Sequence, residues 1–173
     1  MEDTIIIVPY NPKWIERYND EKSKLMELFK PYKVHIEHIG STSVVNLSAK
    51  PIVDIMLGAD SLSIIENKIK DLEQIGYIYK PDFESIIPER RFFVKYLNDV
   101  KSFHLHCVKF GGEFWNDKLL FRDYLRNHPE IAKKYELLKK ELATKYKYDR
   151  PTYTESKSDF ILHIVEKAKK EFS

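Results

Sequence analysis

Hydrophobic and polar positions change period several times along the chain, and each change marks an element. Trp14, Tyr18, Leu25, Leu28 and Phe29 recur at near-helical spacing between Asn11-Pro12 and Pro31. Asn suits a helix cap, Pro suits the first turn, and the later Pro ends the helix. Val34 to Ile39 alternates, which predicts a half-buried strand, and Ile52 to Leu57 predicts a buried one. Leu62, Ile65, Ile69 and Leu72 share one helical face, with Asp60 as cap and Gly76 as stop. Tyr77 to Tyr79 reads as a short strand and Pro81 to Pro88 as a loop. Arg91 to Leu97, Asn98-Asp99 and Phe103 to Phe110 read as strand, turn and strand. The remainder is helical: Phe114 to Arg126, then a helix restarting at Pro129 with Ile131, Tyr135, Leu138 and Leu142 inward. Thr152 and Glu155 form a capping box for a last helix. Ile5 to Val8 is a short strand or an extended arm laid against the core.

That order predicts an α+β fold: a mixed sheet with helices on one side and a helical C-terminal part. The 173 residues suit one domain, and no repeat or linker divides them. A formal net charge of +2 is too small to indicate nucleic-acid binding by itself. Basic residues do outnumber acidic ones from Lys133 to Arg150, which reads first as a solvated helix face and second as a binding patch. The lone Cys107 makes no intrachain disulfide, which fits a reducing compartment. No apolar run approaches the roughly 18 residues of a membrane span, and the acidic start Met1-Glu2-Asp3-Thr4 is unlike a signal peptide. The expected location is cytoplasmic, with no membrane partner.

The chemistry concentrates between Glu37 and Leu57. Gly40 ends a strand and permits a tight turn and close approach of a ligand. Ser41, Thr42 and Ser43 then offer hydroxyls and backbone N–H groups where a helical turn begins, a setting that holds phosphate. An ordinary structural turn would use the same residues. Lys50 precedes the next strand and is placed to neutralise the same anion, or is an ordinary loop lysine. Asp54 interrupts an apolar strand and shares a face with Met56. Burying it is costly unless it meets a cation, a metal or several donors, Arg91 among them. His104 and His106 fall on one face of a later strand and are candidates for metal ligation, acid–base work or core hydrogen bonds. Glu37 and His38 alternate, so only one faces the cleft, and the apolar pattern assigns His38 to the core side. Arg91 shares a face with Phe93 and Lys95 and is a candidate phosphate clamp. Arg122 and Asp123 read as a structural pair. Lys157 falls on the apolar face with Tyr153, Phe160, Ile161 and Ile164, where a charge either finds a partner such as the phosphate or Asp54 or snorkels to the edge.

A hydrophobic residue, Gly-Ser, and then Asp in a following strand resembles the phosphate- and metal-binding signature of the nucleotidyltransferase fold. His38-Ile39-Gly40-Ser41-Thr42-Ser43 with Lys50-Pro51-Ile52-Val53-Asp54-Ile55 resembles the GrpB family (UPF0157). The resemblance continues through Arg90-Arg91-Phe92-Phe93, His104-Leu105-His106, Phe121-Arg122-Asp123-Tyr124-Leu125 and Tyr153-Thr154-Glu155-Ser156-Lys157. Members occur alone or joined to dephospho-CoA kinase. The resemblance implies a nucleotidyltransferase-like fold and a nucleotide or other phosphorylated ligand. It implies a divalent metal, Mg²⁺ or Mn²⁺, at Asp54 with His104 and His106. Active nucleotidyltransferases usually carry a second acid two residues after the first; Met56 stands there, against two-metal catalysis. Nucleotidyl transfer centred on Asp54, a His/Asp metal hydrolase, and a non-catalytic module binding RNA or protein through Lys133 to Tyr153 remain alternatives.

Overall fold

The computed structural model describes residues 4–172, so Met1 to Asp3 of the acidic start lie outside the described residues. The Asn11 side chain accepts the Lys13 N–H at 3.0 Å and opens α1 (Lys13–Leu28), whose Trp14, Tyr18 and Leu25 are buried. Five strands follow: β1 (His35–Ile39), β2 (Val53–Ala59), β3 (Tyr77–Tyr79), β4 (Arg90–Leu97) and β5 (Val100–Lys109). They form one sheet in the order β1-β2-β5-β4-β3, antiparallel except for the parallel pair β2 and β5. The sheet is therefore mixed, as expected. Asn98 and Asp99 turn the β4–β5 hairpin with φ of 50° and 63°, the left-handed pair that matches strand twist.

One face of the sheet is closed. Val53, Ile55 and Leu57 of β2, Phe93 of β4, and Leu105 and Cys107 of β5 pack against Trp14 and Leu25. Ile65 of α2 (Leu62–Glu66) and Leu72 of α3 (Ile69–Gln74) complete that cluster. One helix was the expectation over this stretch; two short ones form, because the backbone leaves regular helix at Asn67–Lys68.

The other face carries the alternate residues. Met56 packs with Ile39, Val108 and Trp115, the last from α4 (Glu113–Asn127). Beyond it α4, α5 (Pro129–Lys145) and α7 (Ser158–Glu171) share a second core of Phe121, Leu125, Tyr135, Ile164 and Val165. Val44 and Leu47, from the segment after β1, enter the same core and tie the two parts together. The expected last helix divides at Lys157 into α6 (Arg150–Ser156) and α7. Its cap is Asp149, which accepts the Thr152 N–H at 3.2 Å, rather than Thr152. Residues 5–8 form an arm held by a Val8–Ala49 bridge and by the Ile5 N–H on the Lys147 carbonyl. No helix of the described residues is long and apolar enough to cross a membrane.

Candidate functional site

Asp54 and His104 are register partners on β2 and β5, and Met56 and His106 are the next same-face pair. Both imidazoles turn to one carboxylate oxygen: Asp54 Oδ1 lies 3.0 Å from His106 Nε2 and 3.4 Å from His104 Nδ1. Arg90 approaches from β4, its Nη1 3.2 Å from His106 Nδ1. A guanidinium only donates, so Nδ1 accepts and Nε2 carries the proton that His106 donates to Asp54. Burial pulls His106 down to about 4 despite Asp54, so the ring is neutral near pH 7. Burial would raise the Asp54 carboxyl, but hydrogen bonds from His104 and His106 hold it well below the usual carboxylate range.

Gly40 brings the turn against this carboxylate. Its φ is +73°, and a Cβ there would stand 2.7 Å from Asp54 Oδ2. Glycine is needed on both counts. Thr42 and Ser43 are buried and their hydroxyls are used internally: Thr42 meets His38 Nε2 at 2.9 Å, and Ser43 donates to the Gly40 carbonyl. Ser41 is less buried and its side chain bonds Tyr135 of α5. The turn is clamped from behind. Arg122 of α4 donates to Glu37 at 2.7 Å and to the His38 carbonyl at 3.1 Å, and Arg126 donates to the Ser43 carbonyl at 2.8 Å. His38 stacks on Tyr18 on the closed face, where burial holds it down at about 4. Glu37 lies on the Asp54 face, as the alternation predicted, but is engaged by Arg122.

Cations gather opposite Asp54. Lys50 and Lys157 lie 5.3 Å and 4.5 Å from the Tyr153 ring centroid, and Lys139 lies 5.0 Å from that of Tyr135. Burial, then Lys50 and Lys139, push the Lys157 amine down to about 7 against the pull of Asp54. Burial lowers Lys139 to about 7 as well, although Glu136 opposes it, and Lys139 donates to the Ser48 carbonyl at 2.6 Å. Lys118 of α4, beside Phe114, is lowered by burial while Asp54 pulls the other way. Arg90 lies over the Phe92 ring at 4.6 Å, and its Nε is buried without a hydrogen-bond partner among the described residues.

Of the residues singled out in the sequence, Gly40, Ser41, Asp54, His104 and His106 thus gather around one carboxylate, with Lys50 and Lys157 on its cationic side. Thr42 and Ser43 support the turn from within. Arg91 lies elsewhere: on the closed face, it holds Glu66 at 2.9 Å and Glu84 at 3.5 Å. The cause is a bulge. An unbroken ladder from the Asn98-Asp99 turn would set Arg91 opposite His106, but the register shifts between Lys95 and Tyr96 and places Phe92 there instead. A one-residue slip exchanges the two faces of a strand, so Arg90 takes the cleft. Lys118, Lys139 and Tyr135 were also missed; the spacing of Phe114, Lys118 and Arg122 along one helical face was the available signal for the first.

This arrangement can hold a divalent ion. Metal bonds of about 2.0–2.2 Å place neighbouring donor atoms roughly 3 Å apart, and Asp54, His104 and His106 offer donors all within 4.8 Å of one another. The comparisons with known proteins agree with the fold. The model of the GrpB protein family matches residues 4–167. UPF0157 protein YqkA of Bacillus subtilis (strain 168) is 38% identical over 164 residues, covering 95% of this chain and 47% of its own length. The chain therefore spans about half of that relative. Glutamate-rich protein GrpB of Alkalihalophilus pseudofirmus is 34% identical, with 93% and 94% covered. Among solved structures, conserved protein GrpB from Enterococcus faecalis aligns with a TM-score of 0.87 at 34% identity, over 96% of this chain and 99% of that one. The Cid1 poly(U) polymerase, in a structure described as MgGTP bound, aligns at 0.55 and 14% identity over 80% of this chain and 44% of its own. That likeness concerns the fold alone, a nucleotidyltransferase-like one. With nearly the whole length matched by the family model, the chain belongs to the GrpB family.

Proposed function

We propose that the cleft binds a phosphorylated ligand of nucleotide type together with a divalent ion, in a reducing, cytoplasmic setting. One observation carries the reading. Asp54 faces Arg90, Lys118 and Lys157, with Lys50 beside Lys157, and Glu89 near Arg90 and Asp117 near Lys118 answer only part of that charge. So many like charges in a partly desolvated cleft repel one another, and an anion relieves the repulsion. Phosphate oxygens would lie between the Gly40–Ser41 turn and these cations. An ion held by Asp54, His104 and His106 would offset phosphate charge and orient the ligand. Met56 leaves one acid on the strand, so binding is the core of the proposal, and nucleotidyl transfer is its extension. A surface for RNA or protein along Lys133 to Tyr153 gains less support, because Lys139 in the middle of that stretch is turned inward at 2% exposure.

The test is thermal unfolding with ATP, GTP, CTP or UTP, each with Mg²⁺, Mn²⁺ or EDTA, on wild type and Asp54→Ala. A ligand at a hundred times its dissociation constant adds about 2.7 kcal/mol, enough to raise the midpoint by several degrees. The expected result is a nucleotide shift that EDTA diminishes and Asp54→Ala removes. No shift with any nucleotide would overturn the proposal.

A further inference from the structure

The donors at Asp54 differ from the carboxylate pair that a nucleotidyltransferase-like site implies. Met56, at the second position, is fully buried and packs with Ile39, Val108 and Trp115. The set is completed by two imidazoles from β5. Mg²⁺ takes oxygen ligands and dehydrates reluctantly, whereas imidazole nitrogen suits Zn²⁺, Co²⁺ and related ions. The spacing agrees. Adjacent donors around such an ion stand roughly 3.0–3.4 Å apart, given bonds of about 2.1 Å; the separations from Asp54 Oδ1 are 3.0 Å and 3.4 Å, and all three donors lie within 4.8 Å of one another.

One hydrogen bond stands in the way. With Arg90 donating to His106 Nδ1, the ring proton is on Nε2, the atom that must ligate. An ion at Nε2 moves that proton to Nδ1. Nδ1–H then faces an Arg90 N–H, two donors with no acceptor between them. Arg90 must therefore leave His106 when the ion enters. Its surroundings allow this: the guanidinium rests on the faces of Phe92 and Phe114, and its Nε has no hydrogen-bond partner among the described residues.

We infer that the Asp54–His104–His106 cluster takes an imidazole-favouring divalent ion such as Zn²⁺ in preference to Mg²⁺, and that the ion displaces Arg90 from His106. The inference rests on the reading of the cleft as an ion-assisted phosphate site and adds the class of ion. It also gives Arg90 a second position: released from His106, its donors are available to a phosphate in the same cleft.

The test is calorimetric titration of the whole chain with Zn²⁺, Co²⁺ or Mg²⁺ alone, with no nucleotide present. The wild type is compared with His104→Ala, His106→Ala, Arg90→Met and Lys118→Met. Unfolding midpoints confirm that each variant is folded, and the visible absorption of bound Co²⁺ reports nitrogen ligation directly. Zn²⁺ is expected to bind at least about a hundredfold more tightly than Mg²⁺, and each histidine variant to weaken it at least about tenfold. Arg90→Met is expected to tighten Zn²⁺ binding more than Lys118→Met, which removes a nearby charge without touching His106. Mg²⁺ binding as tight as Zn²⁺, Zn²⁺ binding indifferent to both histidines, or equal effects of the Arg90 and Lys118 variants would overturn the inference. An EDTA-sensitive nucleotide shift alongside any of these would leave the phosphate reading standing. Zn²⁺ binding at the three residues without any nucleotide shift would do the reverse.

Discussion

Glu21 and Asp54 sit on opposite faces of the same sheet, and each is a carboxylate held by several side chains. On the closed face Glu21 receives Lys95 at 2.7 Å and the Tyr77 hydroxyl at 2.9 Å on one oxygen, and Lys24 at 2.9 Å on the other. Burial would raise its carboxyl, yet these partners bring it below the usual value. Lys24 is largely in water, so the buried charges are one acid and one base. On the open face Asp54 receives neutral imidazole at 3.0 Å while Arg90, Lys118 and Lys157 converge on it. Glu89 near Arg90, Asp117 near Lys118 and Glu136 near Lys139 offset only part of that excess. The first site is balanced within the chain; the second carries an excess of cations, which the proposed anionic ligand would balance. On the proposed reading, the difference separates a carboxylate that holds a fold together from one that serves a ligand.

Removing one partner from the closed site should therefore give the largest effect. Lys95→Met leaves Glu21 buried without its closest cation. Breaking a buried pair in this way costs about 3–5 kcal/mol, which for a chain of this size lowers the unfolding midpoint by roughly 10 °C. Denaturant unfolding checks it, and nucleotide shifts should survive in the variant below its midpoint. A loss under 1 kcal/mol would mean that the two carboxylates are not different in kind.

The open site should respond in the opposite sense and by less. Lys157 and Lys139 ionise near 7 in the folded chain and in the ordinary lysine range when unfolded. Between these values the unfolded state binds more protons, so stability rises with pH from about 7 towards 10. Below 7 both states are protonated and the full repulsion is present. Lys157→Met should accordingly raise ligand-free stability at pH 7, by about 1 kcal/mol, and flatten the rise with pH. The same change should weaken nucleotide binding. Midpoints measured across pH 6.5 to 9.5, with and without ATP, test both halves. A variant that is less stable at pH 7 would show that the cluster is structural.

The sequence carried much of the fold because its strands are short, strongly periodic and bounded by Gly, Pro or Asn-Asp. Gly40, Asp54, His104 and His106 were legible for the same reason: period-2 alternation assigned their faces, and β2–β5 pairing brought them together. Arg90 was hidden because a bulge leaves no local mark; its extra residue, Ser102 between the partners of Tyr96 and Lys95, looks like any other strand residue. The cationic side was only half visible. Lys118 shares a helical face with Phe114 and Arg122, a signal that was open to reading, whereas nothing in the helical pattern says that another element will cover Lys139. The break at Lys157 was missed likewise, since Tyr153 and Phe160 keep helical spacing across it.

The smallest effect should come from the arginine that the bulge turned away. Arg91 bonds Glu66, whose side chain is 47% exposed, and Glu84, at 27%. Pairs of this kind contribute about 0–1 kcal/mol. Arg91→Met should shift the midpoint by at most a few degrees and leave nucleotide and ion binding at wild-type strength. Arg90→Met, one residue earlier, should be near neutral for folding yet alter both. The two substitutions are chemically identical and adjacent, so only the face of β4 distinguishes them. If Arg91→Met were the one to change binding, the hairpin register would have to be the unbulged one, with Arg91 opposite His106. The contrast drawn between the two faces of the sheet would then fall with it.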